Sequence, residues 1–175
     1  MKERVEVLIS EADVDRKIEE IGKKITEDYA GKSVHVICVL KGGAFFMCEL
    51  AKRIEVPVSM DFMAVSSYGS GTESSGSIKM IKDLDESIEG KDVLIVEDIV
   101  DSGRTLSKLI ELLKTRKPAS MKVCTLLDKP DRRVVDVHVD YTCFAIPDEF
   151  VVGYGLDYDQ KYRNLPYIGV VKFED

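Results

Sequence analysis

The sequence predicts an α/β fold, a twisted sheet with a parallel centre and helices on both faces. Short, almost wholly apolar runs such as Val34-His35-Val36-Ile37-Cys38-Val39-Leu40 and Val93-Leu94-Ile95-Val96 have the composition of strands buried on both sides. Between such runs lie segments whose apolar residues recur at helical spacing. Glycine turns fall at strand C-terminal ends, where open parallel sheets place their ligands.

Taken in order, Val14, Ile18, Ile21, Ile25 and Tyr29 mark an amphipathic helix that starts at a capping-box-like Ser10 and Asp13 and ends near Gly31. The strand at 34–40 leads through Lys41-Gly42-Gly43 into a helix at 44–54. A second strand is expected at 58–65, after Pro57. The small, polar stretch 66–76 breaks the pattern and reads as a mobile loop, and extended structure resumes at 77–84. The strand at 93–96 ends in Glu97 and Asp98 and turns into a helix with Leu106, Leu109, Ile110 and Leu113 on one face. Further strands are expected at 121–127, 141–146 and 168–173.

A chain of 175 residues with 45% hydrophobic content suits one domain, 1–175, with a sizeable buried core. Its 25 basic and 32 acidic side chains leave a net charge of −7, which opposes non-specific attraction to nucleic acid or an anionic membrane. An anionic substrate therefore needs a locally assembled site. No run approaches the ~20 apolar residues of a membrane span, and Met1-Lys2-Glu3-Arg4-Val5-Glu6 lacks the core of a signal peptide, so the expected location is the cytoplasm. Cys38, Cys48, Cys124 and Cys143 stand singly in apolar stretches and are expected to be reduced core residues. Neither His35 nor His138 has a partner at metal-ligand spacing.

The most informative run is Val93-Leu94-Ile95-Val96-Glu97-Asp98-Ile99-Val100-Asp101-Ser102-Gly103-Arg104-Thr105-Leu106. Carboxylates at a sheet edge can bind ribose hydroxyls or a hard cation, and a helix N-terminus offers backbone N–H groups to an anion. Together they suit a sugar bearing a phosphate. A solvated acidic turn with capping aspartates is the competing explanation for the acids alone.

The complete run resembles the ribose-phosphate signature of the type I phosphoribosyltransferases. Leu40-Lys41-Gly42-Gly43, the Ser67-Tyr68 loop, Lys129, Phe150-Val151 and the segment 157–163 resemble, in sequence and order, the hypoxanthine-guanine phosphoribosyltransferases. The resemblance covers nearly the whole chain. It implies that fold, with a small hood made by the terminal segments and a mobile loop. It also implies a purine-salvage enzyme that transfers phosphoribosyl from phosphoribosyl pyrophosphate to a 6-oxopurine, with Mg2+, as a homodimer or homotetramer.

By the same resemblance, Glu97 and Asp98 hold the ribose hydroxyls and associated magnesium, and the loop of Asp101, Ser102, Gly103, Arg104 and Thr105 cradles the 5′-phosphate. Asp101 is also the general acid/base at the purine N7. Lys41, Gly42, Gly43 and Arg163 take the pyrophosphate, and the Leu40–Lys41 peptide is cis. Lys129 reads the 6-oxygen, Phe150 stacks on the base, and the backbone of Val151 reads its edge. Asp157 lies at the purine and meets a second magnesium, while Ser67 and Tyr68 belong to a lid that excludes water. These roles fit an oxocarbenium-like transfer, which needs leaving-group stabilisation rather than a protein nucleophile. The rival is a non-enzymatic regulator reusing the fold to bind RNA or DNA, which the acidic charge opposes.

Overall fold

In a computed structural model of the chain, residues 2–67 and 77–174 are described. The order is β1 (Lys2–Ile9), α1 (Glu11–Asp28), β2 (Val34–Val39), α2 (Ala44–Ala51), β3 (Val58–Ser67), β4 (Ile78–Lys82), β5 (Asp92–Val100), α3 (Arg104–Lys114), β6 (Ser120–Asp128), β7 (Tyr141–Ala145), β8 (Val151–Val152) and β9 (Ile168–Glu174). A six-stranded sheet runs β4-β3-β2-β5-β6-β7, with β4 its antiparallel edge and the other pairings parallel.

Two apolar layers cover this sheet. Val14, Ile18 and Ile25 of α1 and Phe46, Met47 and Leu50 of α2 pack on one face with Val36, Cys38, Leu94 and Val96. Leu106, Leu109 and Leu113 of α3 pack on the other with Ile37, Val39, Val93 and Ile95. The helical spacings read in the sequence thus mark the buried stripes. At the start of α1, Ser10 Oγ accepts the Asp13 N–H at 3.2 Å.

The strand order reverses between β2 and β5. From β2 the chain goes outward to β3 and β4, then returns to β5 and goes outward the other way. Open α/β sheets leave a crevice for ligands outside the strand C-termini at such a switch point. Here its walls are the β2–α2 turn and the β5–α3 loop.

A second, antiparallel sheet, β1-β9-β8, joins the two ends of the chain. It forms the hood expected from the terminal segments, although neither β1 nor β8 was legible as a strand. β1 is largely exposed and β8 has only two residues, so neither carries an apolar run.

Four further readings need correction or completion. β5 does not stop at Val96: Glu97, Ile99 and Val100 pair with Thr125, Leu127 and Asp128, because backbone ladders do not require apolar side chains. α2 ends at Ala51, short of residue 54. Cys38, Cys124 and Cys143 are buried, but Cys48 is exposed; the apolar composition of α2 gave no clue to which side faces out. All but Ser66 and Ser67 of the expected loop lie outside the described residues. Among the described residues no helix is long and apolar enough to cross a membrane.

Candidate active site

Across Glu97 and Asp98 the alternation of β5 changes parity. Val93 and Ile95 share the α3 face with Val100, whereas Leu94 and Val96 share the other face with Ile99. The two acids therefore occupy the crossover point beside the crevice. Both keep some surface open yet are packed round by protein. Burial, then the adjacent Asp98, pushes the Glu97 carboxyl well above the usual carboxylate range. Burial also raises Asp98, opposed by the Ile99 N–H it accepts at 2.7 Å and by the charge of Arg163.

After β5, the chain passes through Asp101 and Ser102 to Gly103, which has φ +84° and starts α3 without a side-chain cap. A side chain there would be strained and would collide with the Val135 carbonyl. Ser102 Oγ accepts the Arg104 N–H at 3.3 Å, and its carbonyl accepts the N–H groups of Val134 and Val135 at 2.9 and 3.1 Å. The loop is thus tied down, with the N-terminus of α3 directed into a cavity of about 240 Å³ lined by Glu97, Asp101, Ser102 and Thr105. Ser67, at the end of β3, reaches this loop, its Oγ lying 3.1 Å from Thr105 Oγ1. Tyr68 lies outside the described residues.

Across the crevice, the Leu40–Lys41 peptide is cis. Gly43 is buried beneath this turn, and Lys41 extends outward to place Nζ 3.4 Å from Gln160 Oε1. Arg163 donates to the Gly155 carbonyl at 2.7 Å and to the same Gln160 oxygen at 3.2 Å, and pairs with Asp157 at 3.3 Å. Asp157 also accepts the Gln160 N–H at 2.9 Å. Arg163 Nε is buried without a hydrogen-bond partner among the described residues.

Lys129 follows β6 and is buried. Its N–H bonds to the Val100 carbonyl at 3.0 Å, and its Nζ lies 3.5 Å from Asp148. Phe150 is 51% exposed, and it meets Tyr158 edge-on with centroids 5.5 Å apart. Val151 is buried in β8. Arg133 donates to the Asp101 carbonyl at 3.2 Å and pairs with Asp128, whereas Arg132 pairs with the Asp101 carboxylate.

The sequence-predicted residues therefore divide into two associated groups. Glu97 and Asp98 of β5 and the 101–105 loop after it stand together, with the Lys129 N–H bonded to the last residue of that strand. Lys41, Asp157 and Arg163 are joined through Gln160. Sequence reasoning singled out neither Gln160 nor Asp148, since Gln160 meets Lys41, and Asp148 meets Lys129, only once the chain has folded. No three His, Cys, Asp or Glu side chains gather at one metal-binding point among the described residues.

This fold and crevice define a phosphoribosyltransferase: a family model described as a phosphoribosyl transferase domain matches residues 10–159, and the chain belongs to that family. More particularly, it is 54% identical over 173 residues to the hypoxanthine-guanine phosphoribosyltransferase of Streptococcus thermophilus, covering 99% of this chain and 96% of that protein. It is also 54% identical over 177 residues to the hypoxanthine phosphoribosyltransferase of Salmonella typhimurium, covering 100% of this chain and 99% of the other. The crystal structure of a hypoxanthine phosphoribosyltransferase from Staphylococcus aureus superposes with a TM-score of 0.93 at 54% identity, over 95% of this chain and 91% of that one.

Proposed function

We infer that this chain is a purine-salvage enzyme acting as one domain over 1–175, and that it moves the 5-phosphoribosyl group of phosphoribosyl pyrophosphate to hypoxanthine, guanine or both. The products are IMP or GMP and pyrophosphate. One observation carries the reading: the Lys129 N–H is bonded to the carbonyl of Val100, the residue before Asp101. A base-reading lysine and a sugar-phosphate loop are thereby held side by side.

In this reading the 5′-phosphate sits at the α3 N-terminus, where Ser102, Gly103, Arg104 and Thr105 supply N–H groups and hydroxyls. Glu97 and Asp98 accept from the ribose hydroxyls. Lys41, the N–H groups of Gly42 and Gly43, and Arg163 neutralise the departing pyrophosphate. The Arg163 Nε, buried without a hydrogen-bond partner among the described residues, supports an anion there. As the bond from C1′ to the pyrophosphate oxygen breaks and the bond to the purine nitrogen forms, Asp101 exchanges a proton at N7. Lys129 donates to the 6-oxygen, a contact that an adenine amino group cannot accept. Phe150, half exposed, gives the base a stacking face, and Val151 contributes backbone.

Scattered carboxylates fit magnesium, which keeps several waters and takes few protein ligands beside substrate phosphates. Glu97, Asp98 and Asp157 would hold it, and it would supply positive charge to the pyrophosphate. Ser67 and Tyr68 would belong to the lid over this centre. The assembly would be a homodimer or homotetramer.

The test offers hypoxanthine, guanine, xanthine and adenine separately with magnesium and phosphoribosyl pyrophosphate, and measures nucleotide and pyrophosphate formed. Turnover of hypoxanthine or guanine with little of adenine is expected. Turnover of none of the four would overturn the reading.

A further inference from the structure

Between the proposed proton-transfer residue and the proposed base reader runs a chain of side-chain contacts. Arg132 Nε donates to Asp101 Oδ1 at 3.1 Å, Arg132 Nη1 lies 3.7 Å from Asp148 Oδ2, and Asp148 Oδ1 lies 3.5 Å from Lys129 Nζ. The two cations also share a backbone unit. Residues Pro130–Arg132 form a single 3₁₀ turn, closed by the Arg132 N–H on the Lys129 carbonyl at 3.1 Å. Proline at its start restricts that turn.

The neighbouring Arg133 has a separate task. It binds the Asp101 carbonyl, the Asp128 carboxylate and the Val137 carbonyl, and so anchors the loop backbone. Arg132 alone of the two meets the Asp101 side chain. Exposed ion pairs contribute little to stability, and these side chains are 53% and 46% exposed. A fold-stabilising role therefore explains the contact poorly. An orienting role explains it better, because a general base needs a third group to fix its direction toward the proton, and a carboxylate on a loop otherwise turns about its last bond.

We propose that Arg132 is a positioning residue that aims the Asp101 carboxylate at the bound base, with Asp148 tying that aim to Lys129. The inference rests on the roles given above to Asp101 and Lys129. A base seated against Lys129 then finds the proton acceptor already directed, since the two cations of the chain, Lys129 and Arg132, are mounted on one turn.

The test compares kcat and KM for hypoxanthine and for phosphoribosyl pyrophosphate in the wild type, Arg132→Gln, Arg132→Lys, Asp148→Asn and the Arg132→Gln/Asp148→Asn double variant, with thermal melts to check folding. Arg132→Gln should lower kcat by about tenfold, part of the gain from general acid/base catalysis, while KM for phosphoribosyl pyrophosphate stays within about twofold. Arg132→Lys should recover part of the loss, and the double variant should be no worse than Arg132→Gln, because both changes break one chain. Unchanged or increased kcat in Arg132→Gln, or a loss confined to KM for phosphoribosyl pyrophosphate, would overturn the proposal. Absence of nucleotide from the wild type would instead overturn the function on which it rests.

Discussion

Gly42 is packed so closely on Asp98 that a Cβ at position 42 would overlap the Asp98 carboxylate. The β2–α2 turn, carrying the proposed pyrophosphate contacts, meets the C-terminal part of β5, carrying the proposed ribose contacts, at this point. Gly42→Ala should therefore displace the acid and lower kcat/KM by at least about tenfold. Overpacking of this kind costs about 1–3 kcal/mol, so a fall of several degrees in the melting temperature should accompany it. Calorimetry and steady-state kinetics on one preparation check both. Wild-type activity in that variant would show that Asp98 can move without consequence.

Asp101→Asn keeps the size of the side chain but cannot exchange a carboxyl proton. Turnover should fall by about 10²–10⁴-fold, while phosphoribosyl pyrophosphate still binds by titration calorimetry. A loss of binding in place of turnover would reassign Asp101 to the shape of the loop.

Lys129→Gln removes the cation proposed to read the 6-oxygen, and it leaves Asp148 paired with Arg132 alone of its two cations. Rates with hypoxanthine and guanine should drop and discrimination against adenine should relax, as read from kcat/KM for each base. Folding should remain near normal, since the lost pair with Asp148 is long, at 3.5 Å. Equal rates for every base before and after the change would return Lys129 to a structural role.

Burial and the adjacent Asp98 hold the Glu97 carboxyl above its ordinary range. Within the interval between that range and the raised value, the folded chain binds more protons than the unfolded chain, so stability falls as pH rises. In chelator, the melting temperature should decline from mildly acidic to neutral pH. Glu97→Gln should flatten the decline and melt higher than wild type at neutral pH, at the expense of activity, as expected where a site is held under electrostatic strain. An unaltered pH profile in the variant would refute this origin of the dependence.

Chelation should stop turnover, and added magnesium should restore it. The expectation follows from the adjacent carboxylates Glu97 and Asp98 and the separate Asp157, beside a substrate that brings its own phosphates. Full activity in excess chelator, with trace metals excluded, would remove the metal from the mechanism.

The sequence by itself determined the layered α/β architecture, because the two-sided burial of β2 and β5 and the single stripes of α1 and α3 are local patterns that hydrophobic burial imposes residue by residue. It also marked the stretch from Glu97 to Thr105, whose acids, glycine and threonine are contiguous. The extent of β5 beyond Val96 was less legible, since ladder pairing depends on the neighbouring strand and leaves no apolar signature on Glu97 or Asp98. Only the tertiary structure decided that Phe150 stands exposed while Cys48 turns outward, that β1 and β9 close a second sheet, and that Arg132, Asp148 and Gln160 join residues far apart in the chain. Those facts depend on which surfaces meet once the sheet has twisted and the loops have crossed its edge. Such contacts form between side chains whose own neighbours in sequence take no part in them, so no periodicity records them.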